Sequence, residues 1–248
     1  MPGLFLSPAF KGRQIVSFLT VPLTGTEAKI YNEIWHAIMT RGLRPGVKLD
    51  EIALCDIYGV SRTIVRRALV TMEQDGLVTL NHNRGASVAA PSLDEGEKVL
   101  EAIAVLYVHF AKKLAQNPDA LTEDDRNRLN AHLDAEESAN QALDFHVARR
   151  LRGELGILLG LLSGNLILAG AMARYMVRAL LALSLYQRDA GPDSNNMGRK
   201  IYQAILNSQV EVVIEIIATY STGLMNSLKS MPALGNADLR TILRSDNI

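Results

Sequence analysis

The sequence is short of the features that cross-link, chelate or insert into membranes. It has a single cysteine, Cys55, which excludes an internal disulfide framework and any multi-cysteine zinc site. That usage fits a reducing, cytoplasmic setting. Aromatic residues are only 5% of the chain, so aliphatic side chains must fill the core, and the abundance of Leu, Ile, Ala and Val favours helices. A secretory signal is not expected, because Pro8, Lys11 and Arg13 interrupt the mildly apolar first residues. The most apolar stretch, residues 155 to 187, carries Arg174 and Arg178 at i,i+4 spacing. Two such charges argue for a buried or interfacial helix, so no membrane partner is expected. No paired-carboxylate motif and no phosphate-binding glycine loop occur, and Cys55 reads as a packed small residue, so an enzyme is not expected.

There is no net charge either, with 26 basic and 26 acidic residues, but the charge is unevenly placed. Through Pro91 there are ten basic and seven acidic residues, which makes the N-terminal part the polyanion-facing one.

Along the chain, residues 26 to 42 have Ile30, Ile34, Trp35 and Ile38 at helical spacing, with Gly42 as a stop. RPGVKL reads as a turn. DEIALCDIYG reads as a short helix with Ile52, Cys55 and Tyr58 inward, ended by Gly59. Ser61 can cap a third helix whose apolar set is Ile64, Val65, Ala68, Leu69 and Met72, closed by Gly76. Residues 77–80 and 86–89 flank the turn-rich NHNRG and predict a hairpin. Beyond Pro91-Ser92 the pattern is helical, with a loop at RDAGPDSNN. The expected fold class is mainly α: an N-terminal winged helix-turn-helix of three helices plus a β-hairpin wing, then an all-α helical bundle. The expected divisions are an extension (1–25), the winged domain (26–91), the bundle (92–231) and a tail (232–248). The extension is either disordered or packed on a partner subunit, and the tail is a short helix or mobile.

Residues 43–91, LRPGVKLDEIALCDIYGVSRTIVRRALVTMEQDGLVTLNHNRGASVAAP, resemble the DNA-binding domain of the GntR family of bacterial transcription regulators. The likeness rests on PG-x-x-L-x-E, GVSR-T-x-VR-x-AL, the GLV strand start and NRGA-x-V, in order. It implies a double-stranded DNA operator as partner. The recognition helix would present Ser61, Arg62 and Thr63 to the major groove, with Arg62 or Arg66 reading guanine. Arg67 would meet phosphate, and Asn83, Arg84 and Gly85 in the wing would approach the adjacent backbone or minor groove. Two departures stand out. The family usually has Pro-Val-Arg-Glu where this chain has Ile64-Val65-Arg66-Arg67, and it often has Arg where this chain has Ile52. The added charge of Arg67 should raise non-specific affinity.

The helical remainder resembles the FCD type of effector domain, anchored on Leu159 to Asn165 and on the last two helical segments. Many such domains hold a metal on Asp and three His. Aligned from Asn165, those positions fall on Arg152, Gly156, Gly198 and Tyr220, so neither a metal nor another cofactor is expected. His146 reads as an isolated surface histidine, and Ala104 and Val108 stand where the family carries Arg and Glu, which implies a more apolar pocket. Arg152 with Tyr220, and Arg174 or Arg178, would bind an anionic small-molecule effector. The alternatives are that Arg152 pairs with Glu154 or another acid, or that the pocket is vestigial. The implied protein is a homodimeric repressor released from its operator by a small metabolite. The rival reading is an effector-blind DNA-binding protein.

Overall fold

The computed structural model describes residues 5–10, 23, 25–39, 42–81, 85–187, 196–228 and 243. A 3₁₀ turn, Pro8–Phe10, precedes α1 (Gly25–Met39), β1 (Lys48–Leu49), α2 (Glu51–Tyr58), α3 (Arg62–Gln74), β2 (Val78–Asn81) and β3 (Gly85–Val88). There follow α4 (Leu93–Gln116), a second 3₁₀ turn (Pro118–Ala120), α5 (Glu123–Gln141), α6 (Phe145–Leu162), α7 (Leu166–Tyr186), α8 (Met197–Leu206) and α9 (Val210–Asn226). The loop at 188–195 and, apart from Leu243, the tail from 232 lie outside the described residues.

Short polar side chains start the helices by accepting from otherwise unpaired first-turn N–H groups. Asp50 accepts from Ile52 and Ala53, Ser92 from Glu95, Asp144 from Val147 and Asn165 from Leu168. Thr122 and Asp125 form a reciprocal capping box on α5. The two backbone N–H groups hold the Asp50 carboxyl below its usual range. Gly59 ends α2 in the left-handed region at φ 64°, which a residue with a Cβ adopts only at a cost.

Three strands, not two, form the antiparallel sheet, in the order β1-β3-β2. The hairpin pairs Val78 with Val88 and Asn81 with Gly85, and Lys48–Leu49 add to its far edge opposite Ser87 and Ala86. RPGVKL thus supplies a strand as well as a turn. Two residues are too few for alternation to show in the sequence. The sheet and α1–α3 enclose a core that includes Ile30, Ile34, Leu49, Leu54, Leu69, Met72 and Leu77. Tyr31, also buried there, donates to Asp75 at 2.9 Å and ties α1 to the end of α3. Ile52 does not point inward as expected: it is 56% exposed, and Leu54 takes the core position.

In the bundle, α4 is central and packs on α6, α7, α8 and α9. Phe110, Leu129, Leu158, Ile205 and Val213 are fully buried within it. By length and composition α7 could cross a membrane, yet 56% of its most apolar window is buried in the protein. Its Val177 and Leu181 belong to the same apolar cluster as α1–α3, so α7 joins the two parts. Within the described part of the expected extension, Ala9 and Phe10 are buried against the bundle of the same chain.

Candidate nucleic-acid interface and effector cavity

The turn at Gly59 brings α3 out of α2 with its first residues in solvent. Ser61 precedes the helix in extended geometry (φ −70°, ψ 155°) and makes no side-chain capping bond. Ser61, Arg62, Thr63, Arg66 and Arg67 are all exposed, while Val65, Ala68, Leu69 and Met72 are buried. One face of α3 is therefore fixed in the core and the opposite face presents hydroxyls and guanidinium groups. Arg62 and Arg66, one turn apart, share the outward face. Arg67 differs: its guanidinium pairs with Glu27 of α1 at 3.0 Å. The charge expected to strengthen DNA contact is already met by an acid of the same chain.

Of the wing residues, Gly85 opens β3 at φ 79°, whereas Asn83 and Arg84 lie outside the described residues. A Cβ on Gly85 would come within 3.8 Å of the Lys48 side chain. Lys48 is exposed, and β1 sets it beside the wing, a cation that sequence reading missed because β1 was not recognised. Exposed Ile52 is the second residue of α2, and its backbone N–H donates to the Asp50 side chain.

The second site is a cavity of about 70 Å³ among α4, α6, α7, α8 and α9. Ile103, Ala104 and Tyr107 line it from α4, and Met172, Met176 and Leu183 from α7. Arg149, Arg152, Tyr220 and Ser221 are the polar lining, with no acid among the lining residues. The cavity brings together Arg152 and Tyr220 of the four expected effector contacts. Arg152 donates to the Tyr220 hydroxyl at 3.3 Å, its guanidinium carbon lies 5.7 Å from the ring centroid, and it pairs with Glu136 at 3.0 Å. Glu136, not Glu154, is thus its acid.

Arg174 and Arg178 do not reach this cavity. Both are exposed, because the face of α7 that lines the cavity is carried by Met172, Met176, Ala179 and Leu183. Arg178 instead pairs with Glu95 at 3.5 Å and packs over Gly76 at the end of α3. Gly156 and Gly198 have no open space at their Cα atoms. A Cβ on Gly156 would lie 2.8 Å from the Tyr107 ring, and one on Gly198 would lie 2.8 Å from Leu133. Among the described residues no group of three His, Cys, Asp or Glu converges. His146 is exposed and borders a small crevice with Ile38 of α1 and Arg149, which faces both crevice and cavity.

Comparison with known proteins agrees with this geometry. Residues 26–88 match the family described as bacterial regulatory proteins, gntR family. An uncharacterized HTH-type transcriptional regulator in the TAR-I ttuE-ttuC' intergenic region of Agrobacterium vitis is 31% identical over 96 residues, 39% of this chain. The matched region spans 56% of that relative's length. In fold, the chain is similar to a crystal structure described as a transcriptional regulator GntR from Rhodococcus sp. RHA1. There the TM-score is 0.72 at 20% identity, covering 83% of this chain and all of that one. It is also similar to E. coli McbR/YncC, with TM-score 0.64 at 16% identity, covering 82% of this chain and 99% of that one. The matched family is described as regulatory proteins, and the Agrobacterium relative and the Rhodococcus structure are each described as a transcriptional regulator. Over residues 26–88, the segment that contains the exposed face of α3, the chain is thus similar to the gntR family of bacterial regulatory proteins.

Proposed function

We propose that the protein is a cytoplasmic, dimeric transcription repressor of the FCD type that leaves its operator when a small metabolite enters the bundle cavity. The observation that carries the DNA-binding half is the exposed cluster Ser61, Arg62, Thr63 and Arg66 on a helix whose other face is locked in the core. Arg62 and Arg66 are the base-reading residues, and Lys48 and Gly85, with Asn83 and Arg84 of the wing, meet the backbone. Residues 26–91 form the DNA-binding unit and 92–231 the effector and dimerisation unit. A near-palindromic operator follows from a two-fold dimer, and ligand coupling of about 1–3 kcal/mol is enough to release it.

The effector is a compact anion with an apolar body. Supporting this are two arginines, the hydroxyls of Tyr220 and Ser221 and no acid in a lining that is apolar for the rest of its wall. At about 70 Å³ the cavity is smaller than the roughly 150 Å³ site known to accept benzene, which favours a ligand of a few heavy atoms. Such an anion would draw Arg152 away from Glu136. That existing pair favours a second reading, an effector-blind DNA-binding protein with a vestigial ligand pocket. A thermal-shift series with short-chain carboxylates, run on the protein and on Arg152→Ala, separates the two. Stabilisation that is lost in the variant supports a sensor, and no shift with any of them supports the second reading.

A further inference from the structure

The best-built polar constellation outside both sites holds the beginning of the chain. The Glu154 carboxylate, fully buried on α6, accepts from the backbone N–H of Leu6 at 3.0 Å and of Ser7 at 2.8 Å. Ser7 Oγ shares a 2.7 Å hydrogen bond with Nδ1 of buried His132 on α5. Arg128 donates to the Ala9 carbonyl at 3.2 Å. The Phe5 and Phe10 rings lie 4.5 Å apart, tilted by 37°, and Leu6 packs near Ala148 and Leu151. These contacts recognise the segment, a short irregular stretch running into the 3₁₀ turn, by its main chain, its hydroxyl and its apolar side chains together.

The same carboxylate reaches the DNA-binding part. Arg150 donates to Glu154 Oε1 at 3.1 Å, and its guanidinium lies 6.0 Å from the centroid of Trp35 on α1. A buried carboxylate needs several donors to remain charged, and Leu6, Ser7 and Arg150 supply them jointly. Withdrawing the two backbone donors leaves Arg150 to satisfy the carboxylate alone, and its placement against Trp35 must change.

We infer that the α5–α6 surface is a peptide-binding site occupied by residues 5–10, and that this segment is a regulatory strap fixing the DNA-binding domain on the bundle through Glu154, Arg150 and Trp35. Docked, the strap pre-organises the domain for DNA. Undocked, the domain must be ordered on binding, and affinity falls.

The test uses the full chain. Ser7→Pro removes one donor and the hydroxyl while leaving every bundle residue intact. Trp35 is the only tryptophan, so its emission reports the junction directly. The expected result is exchange of the Leu6 amide faster by roughly tenfold or more, a shifted Trp35 emission and weaker binding to a labelled duplex. An unchanged bundle circular dichroism should accompany these changes. Glu154→Gln, made in parallel, should reproduce them, and adding excess peptide of residues 1–13 should restore the Trp35 emission of Ser7→Pro but not that of Glu154→Gln. Fast Leu6 exchange with unchanged Trp35 emission and DNA affinity would overturn the coupling. Slow exchange in Ser7→Pro would overturn the assignment of the strap's anchor, even if Glu154→Gln fails to fold.

Discussion

At the scale of single residues, the outward face of α3 separates groups that the sequence alone made look alike. Arg62 and Arg66 are exposed, whereas Arg67 is paired with Glu27. Replacing Arg62 or Arg66 by Ala should cost about 1–3 kcal/mol of discrimination between operator and random duplex if it reads guanine. Arg67→Ala should change discrimination little. Ile52, 56% exposed on α2, offers the converse experiment. Ile52→Arg should tighten non-specific binding and steepen the dependence of log affinity on log salt by about one. Competition titrations at several salt concentrations measure all four variants. The outward cations were legible because the buried set of α3 has a clear helical period, which fixes what faces out. The Glu27 pair was not, because it joins residues forty apart and depends on how α1 crosses α3. The same limit applies to Arg174 and Arg178, whose distance from the cavity follows from the rotation of α7 about its axis.

Among elements, the junction between α3 and α7 has little slack. Gly76 follows α3 at φ 79°, and a Cβ there would lie 2.7 Å from Arg178 Nε. Gly76→Ala should lower stability by about 1–2 kcal/mol from the left-handed backbone alone and should displace Arg178 from Glu95. Chemical denaturation measures the first effect. Arg178→Ala, which removes the side chain but not the strain, should recover little of it. Helix starts were readable in the sequence, since Asp50, Ser92 and Thr122 are capping residues placed before periodic apolar runs. β1 was not readable. Its two residues become a strand only because β3 has an open edge beside them.

For the molecule as a whole, burial of His132 makes stability depend on pH. Desolvation pulls its pKa from 6.5 to about 4, against a hydrogen bond to the Leu151 backbone. Between about 4 and 6.5 the unfolded chain then holds the extra proton, so His132 adds a term that rises with pH through this window and is lost as pH falls. That gap corresponds to on the order of 3 kcal/mol. The difference between the stability profiles of the protein and His132→Asn isolates this term, and parallel profiles would contradict it. The change from a small sheet with three helices to helices alone was evident from the sequence, because the hairpin pattern gives way to helical periodicity after Pro91. The docking of residues 5–10 was not, because it depends on Glu154 lying buried beneath them. We propose above all that α3 reads DNA through Arg62 and Arg66. Fluorescence anisotropy with a labelled duplex from upstream of the gene, competed by random duplex, tests it most directly for the protein and the Arg62→Ala/Arg66→Ala double variant. The account predicts preference for the upstream duplex in the protein and loss of that preference in a folded double variant. Equal preference in both would contradict it.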